Sequence, residues 1–330
     1  MTKIIDCFLF FQELDLLEIR LSYLDPHVDV FIIVEACQTF TGKKKPFLFE
    51  KHKSRYEKFS KKIVYFKITD FHENYDSVVS YLEKINSIAS NRILKNMESF
   101  DHFPKDKLHW VLDAYHKECM QFPLEELAED TDTVIFSDLD EIPSNDIFCH
   151  GNKSLIPDGP VLCIQQEFSY FLNLHRLNRK WFGSIFGSKV KMFSMNALRL
   201  DAQKSRLLIS DVVDHGGYHF TSVGSIDDIR KKIESWGHQE FNTPRVKNNL
   251  ERRIQSGRDP FGRERGIIFD RVDPNNTSFF DKKMNGIINY FPDLIAPKDI
   301  RFKRSGVLEN LLDGLLNFFD KLVYKIKQKL

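Results

Sequence analysis

"DTVIFSDLDEIPS", residues 132–144, is the stretch on which the fold turns. Val134-Ile135-Phe136 is an apolar run of the kind that forms a buried strand. It ends at Ser137, and Asp138, Asp140 and Glu141 follow within four positions before Pro143 blocks continuation. Carboxylates crowded at the tip of a buried strand repel one another where water screens least. A hard divalent cation would offset that cost, because it takes carboxylate oxygens and tolerates bound water. Asp138 and Asp140 are therefore candidate metal ligands. By itself Asp-x-Asp also occurs in solvated acidic turns; the apolar strand before it and Glu-Ile-Pro after it sharpen the reading.

Upstream, strand and helix patterns alternate. "KIIDCFLFF" (3–11) reads as a strand, and "QELDLLEIRLSYL" (12–24) sets Leu14, Leu17, Leu21 and Leu24 at helical spacing until Asp25-Pro26 breaks it. "VDVFIIVEA" (28–36) is a second apolar strand, followed by the polar loop "CQTFTGKKKP", a short basic helix and the strand "KIVYFKI" (62–68). Residues 75–98 and 105–127 are expected to be helical. This alternation predicts an α/β fold with a mostly parallel central sheet flanked by helices. Such sheets bind ligands beyond the carboxyl ends of their strands, where Glu35 and "DLDE" fall. Beyond residue 150, "PVLCIQQEFSYFL" (160–172) and "SKVKMFSM" (188–195) are expected strands. "DVVDHGGYHFTSVG" (211–224) reads as a strand with turns, and "IDDIRKKIESWGHQEF" (226–241) as a helix. One continuous domain over 1–305 is expected, in two halves, 1–150 and 151–305.

His219 follows two glycines and precedes an apolar residue, a place from which one imidazole could reach a metal. His215 lies four positions earlier, but Gly216-Gly217 disfavours a zinc-binding helix. Lone histidines are more often satisfied core residues.

Bulk composition excludes several classes. The 48 Lys and Arg nearly cancel 47 Asp and Glu, for a net charge of +1, so no nucleic-acid-binding field is expected. The five cysteines are scattered without a C-x-x-C pair and read as reduced core thiols. Met1-Thr2-Lys3 leads directly into "IIDCFLFF", too short to cross a bilayer and without a small-residue cleavage site, so a cytoplasmic location is expected. In the tail, Leu308, Leu311, Leu312, Leu315, Phe319, Leu322, Val323 and Ile326 form an apolar stripe, with Lys321, Lys325, Lys327 and Lys329 among the polar positions. Residues 306–330 are thus expected to form a basic amphipathic helix. Such a helix suits peripheral contact, through 307–330, with the cytoplasmic face of a membrane. The alternative is a terminal helix packed on the core or on a second subunit.

Several separated blocks resemble glycosyltransferase family 17, whose best-known activity adds a bisecting β-1,4-linked N-acetylglucosamine to N-glycans. They are "DCFLFFQELDLLEIRL", "VDVFIIVEACQTFTGKKKP", "HWVLDAYHK" with Lys117 where the family tends to have Arg, "FSDLDEIPS", "GYHFTSVG" with Tyr218 for Trp, "IRKKIESWGHQEF" and "IQSGRDPFGR". The resemblance spans about Ile4 to residue 300. It implies a GT-A-type nucleotide-sugar fold and an inverting, metal-dependent transferase. UDP-N-acetylglucosamine is the implied donor, Mn²⁺ or Mg²⁺ the implied cation, and a carbohydrate or glycolipid hydroxyl the implied acceptor. Animal members are anchored at their amino termini; here the stretch expected to meet a membrane is the carboxyl-terminal one.

On that reading Asp138, Asp140 and His219 hold the metal, and Glu35, Lys117, Asp138 and Arg258 bind the donor. Lys117 keeps the charge of Arg without its planar fork. Inversion requires a general base for the acceptor hydroxyl, with candidates Glu167, Glu141 and Asp214; Glu167, near the end of an apolar strand, is preferred. Tyr170, Trp181 and Trp236 could stack on sugar faces. A haloacid-dehalogenase-type phosphatase would want Thr or Val near Ile142, and a nucleotidyltransferase a Gly-rich loop after the first strand. A non-catalytic glycan- or membrane-binding scaffold would not need an intact "DLDE".

Overall fold

The computed structural model describes residues 2–149, 159–262, 268–300 and 307–327. In chain order these contain β1 (Ile4–Leu9), α1 (Leu14–Leu24), β2 (Val30–Ala36), α2 (Leu48–His52), β3 (Ile63–Ile68), α3 (Tyr75–Ile85), α4 (Ile88–Ser99), α5 (Leu108–Glu118), α6 (Gln121–Leu127), β4 (Thr133–Asp138), β5 (Glu141–Pro143) and α7 (Asp146–Cys149). There follow β6 (Val161–Ser169), β7 (Leu174–Ser188), α8 (Met195–Gln203), β8 (Asp211–Val213), β9 (Gly217–Thr221), α9 (Ile226–Ser235), α10 (Pro244–Gln255), β10 (Phe269–Arg271), α11 (Lys282–Ile288) and α12 (Val307–Lys327). Lys329 and residues 301–305 lie outside the described residues.

The chain forms two compact units. One comprises Met1–Gln166 and Lys180–His219, the other Glu167–Arg179 and Phe220–Leu330. Strand order through the first is β3-β2-β1-β4-β7-β6-β9-β5, with β8 beside β6. β3, β2, β1 and β4 run parallel, and Leu9 pairs with Asp138 at the carboxyl end of β4. β7 then enters antiparallel beside β4, and β5 pairs antiparallel with β9. The sheet is therefore mixed, which corrects the expectation of a mostly parallel one. β7 is the cause: "LHRLNRKWFGSIFGS" mixes basic, polar and apolar residues without clean alternation, so its strand character is set by pairing and not by pattern. A second correction concerns "SKVKMFSM", which forms a short 3₁₀ turn (Lys189–Lys191) and the start of α8. Ser194 caps α8 by accepting from the Ala197 N–H at 3.2 Å.

The expected helix over 75–98 divides in two. Asn86 takes a left-handed conformation (φ 48°) at the end of α3, and Ser87 and Ser90 form a capping box that starts α4. Apolar residues of β1, β2 and β4, including Ile5, Ile32, Val34 and Phe136, pack against α3–α6 through Leu82, Ile93, Val111 and Leu124. Burying each such side chain contributes about 1.5–3 kcal/mol. Cys7, Cys119 and Cys163 are buried free thiols and Cys37 is a partly exposed one. In the second unit, β10 pairs with the start of β7, and α9 and α10 share a core of Ile229, Ile233, Leu250 and Ile254 with Phe269.

Candidate functional site

One buried arginine shapes the acidic turn. Arg20 of α1 and Asp6 of β1 are both wholly buried. Arg20 donates to the two Asp6 oxygens at 2.8 and 2.6 Å. Its Nη1 donates to the carbonyls of Asp138, Leu139 and Glu141 at 3.0, 3.1 and 2.9 Å, and its Nη2 to Ser137 Oγ at 2.5 Å. The planar fork thus gathers three carbonyls of the turn that joins β4 to β5. Sequence reasoning missed this pair. Its signal was there: an Asp inside an apolar strand, and an Arg among Leu16, Leu17, Ile19 and Leu21.

The three acidic side chains of the turn go separate ways. Glu141 is fully buried, accepting from Arg199 at 2.5 and 2.8 Å and from Trp181 Nε1 at 2.7 Å. Asp138, about a third exposed, lies 3.2 Å from Arg199. Burial opposes the Arg199 charge, but Asp138 and Glu141 outweigh it and raise its pKa above the ordinary value. Lys117 bonds Asp113 at 2.9 Å, one turn away on α5. Burial again opposes its charge, and Asp113 with Asp138 raises its pKa. Arg199 is held in place from the start of α8. There the buried Glu118 accepts from Ser194 Oγ at 2.7 Å and from the Asn196 N–H at 3.1 Å. Arg199 was not anticipated: the strand expected over 188–195 stops short of it, and no helix was expected over 195–203.

β5–β9 pairing brings His219 to this turn. Glu141 stands directly opposite His219, so their side chains share one face of the sheet. Trp181 lies against both: it bonds Glu141 and stacks on the His219 ring at 4.3 Å and 24°. His219 Nε2 is 3.8 Å from Asp140 Oδ1, too far for a hydrogen bond. Two ligands each about 2.1 Å from one cation can stand up to about 4.2 Å apart, so that span suits a shared ion. His219 is buried, and its Nδ1 has no hydrogen-bond partner. Among the described residues no group of three or more His, Cys, Asp or Glu is gathered for a metal. The donors present fit a hard cation that takes one or two protein ligands and draws the rest from water and phosphate oxygens.

The other candidates are held by partners or turns of their own. Glu35, at the end of β2, accepts from Lys45 Nζ at 2.6 Å, the Leu48 and Phe49 N–H groups at 2.6 and 3.0 Å, and Tyr65 OH at 2.8 Å. It satisfies the first turn of α2 and holds a lysine of the loop "CQTFTGKKKP". Asp214 is largely exposed and bonds Lys180 at 2.8 Å, which chiefly holds its carboxyl below the usual range. Glu167, in the second unit, is buried between Arg176 at 2.7 Å and Arg179 at 3.2 Å. Arg258, also in that unit, is buried just after Gly257, whose φ of 66° turns the chain at the end of α10.

No curated protein matches the chain. The sequence model of glycosyltransferase family 17 matches residues 1–101, from β1 through the end of α4, and stops short of Asp138. That match supports membership of glycosyltransferase family 17 and, with it, the activity of a glycosyltransferase.

Proposed function

We propose that this chain is a metal-dependent, inverting glycosyltransferase of GT-A type. It would move a sugar, N-acetylglucosamine from UDP-N-acetylglucosamine as first choice, to a hydroxyl of a glycan, glycolipid or polysaccharide. The observation that carries the proposal is the meeting of Asp140 and His219 beside Asp138, at the carboxyl end of β4. Asp140 and His219 would hold Mn²⁺ or Mg²⁺, with Asp138 contributing directly or through water. When bound, the cation would offset the negative charge that develops on the departing nucleoside diphosphate. Arg199 and Lys117 add fixed positive charge around Asp138. Glu141, bonded on both oxygens, acts as the anchor for Arg199 and Trp181. The acceptor proton goes to Asp214, the base candidate in the same unit as the acidic turn. Asp214→Asn should abolish transfer while donor binding persists; undiminished transfer would exclude it as the base. A cytoplasmic location, with peripheral membrane contact through 307–330, belongs to the same reading.

The test is donor breakdown by the full chain with Mn²⁺ and a panel of UDP-, GDP- and CMP-sugars, with free nucleotide as the readout. One donor should be consumed, and Asp140→Ala or chelator should lower the rate about 100-fold or more. A panel left wholly intact in both Mn²⁺ and Mg²⁺ sinks the proposal. Trp181 supplies a second readout: its stacking on His219 predicts that paramagnetic Mn²⁺ quenches its fluorescence, and that Trp181→Phe removes the quenched component.

A further inference from the structure

Helix α12 is mounted the opposite way from a helix that completes a core. Its 21 residues extend about 31 Å. Leu312, Leu315, Phe318, Phe319, Leu322 and Ile326 are 43–62% exposed. Its contact with its own unit is made instead by the polar side. Asp320 accepts from Arg245 Nε at 2.7 Å and from Thr243 Oγ1 at 3.5 Å. Tyr324, half-buried on that side, has its hydroxyl pKa raised by burial, with Glu240 nearby. At roughly 100° per residue, Asp320 and Tyr324 stand about 120° and 160° from the centre of the apolar face. The hydrophobic effect alone would turn this helix over, unless something apolar covers it.

What covers it can be argued from shape and charge. The exposed apolar arc, from Phe318 round to Leu316, spans roughly 160°. A single partner helix buries a narrower seam and would leave the flanks in water, whereas an acyl boundary covers half a cylinder. After Asp320 the sequence has Lys321, Lys325, Lys327 and Lys329 and no acidic residue, which suits negatively charged headgroups. No helix among the described residues is long and apolar enough to cross a membrane. We propose that α12 lies in the plane of an anionic lipid surface, its apolar face in the acyl boundary, with the Asp320–Arg245 pair tying it to the body of the second unit. This deepens the membrane contact in the function proposed above, but it rests on the orientation of the helix and not on donor chemistry.

Co-sedimentation of the full chain with vesicles tests it. Binding to a phosphatidylcholine–phosphatidylglycerol mixture should exceed binding to phosphatidylcholine alone by about tenfold or more, and should weaken with salt. Leu315→Gln with Phe319→Gln should remove it, and Lys321→Gln with Lys325→Gln should weaken binding to the anionic vesicles alone. Donor breakdown should be unchanged in both. Equal binding to the two vesicle types, or none, overturns the inference. So does a dimer in sedimentation velocity that the Leu315/Phe319 double variant dissolves without any vesicle binding; the face would then be a subunit interface. Vesicle binding without donor breakdown leaves the inference standing and removes only the transferase reading.

Discussion

Arg20 shows how one side chain can set the geometry of a site it does not enter. Its charge is matched by Asp6, and its remaining donors go to the Ser137 hydroxyl and to three carbonyls of the acidic turn. Breaking such a buried pair from one side strands the other charge, at a cost of about 3–5 kcal/mol. Arg20→Gln should lower the unfolding free energy read from urea denaturation by that much, and abolish Mn²⁺ quenching of Trp181. Arg20→Lys should recover part of the stability but little of the quenching, since an ammonium cannot span Asp6 and three carbonyls together. If the Lys variant loses stability yet binds Mn²⁺ like the parent, Arg20 is a core residue only. Glu35 carries a related lesson. It was expected to bind the donor from its place at a strand end; its four hydrogen bonds hold the β2–α2 connection and Tyr65.

At the scale of elements, the short ladder between β5 and β9 matters most. It sets Glu141 opposite His219 and brings the imidazole to Asp140. The ladder depends on Gly217, which has φ of 138° and faces Pro143 across it. A Cβ there would stand 2.2 Å from the Ile142 carbonyl oxygen. Gly217→Ala should therefore cost about 3 kcal/mol or more, from backbone strain plus the clash. It should weaken Mn²⁺ quenching even under conditions where the variant remains folded by circular dichroism. Undiminished quenching would mean that His219 reaches Asp140 without this register. Helix α8 supplies the opposing side, since its anchoring on Glu118 delivers Arg199 to Asp138 and Glu141.

For the molecule as a whole, acid stability offers a test outside the site. Burial pushes the His116 imidazole down to about 3, so it stays neutral in the folded chain. Unfolded, it takes a proton near its ordinary value of about 6.5. Between those two values the unfolded state binds more protons, and stability must rise with pH. The contribution is flat above about pH 6.5 and is lost as pH falls toward 3, by up to about 1.4 kcal/mol per pH unit. His116→Phe, beside the Phe40 ring, should flatten unfolding free energy between pH 6.5 and 5 by that amount. An unchanged slope would show that the imidazole takes up its proton alike in the folded and the unfolded chain.

Much of the first 140 residues was legible from sequence. Apolar runs and 3.6-residue spacing are local properties, so β1–β4 and their helices could be read from the chain. The acidic turn could be read too, because three carboxylates closing a buried strand have few bland explanations. β7 and α8 could not. Their residues pattern weakly, and each takes its structure from distant partners: β4 for the strand, Glu118 of α5 for the helix. The same holds for what surrounds the turn. The residues around Asp138 come from α1, α5, α8, β7 and β9, far apart in sequence, and only long-range packing decides which carboxylate receives an arginine, a tryptophan or an imidazole. The sequence by itself determined the parallel strands and where their charge would gather. Tertiary structure decided that the sheet is mixed, that Glu141 is an anchor, and that the apolar side of α12 faces outward, because hydrogen-bond partners and burial are properties of the folded whole and not of any local stretch.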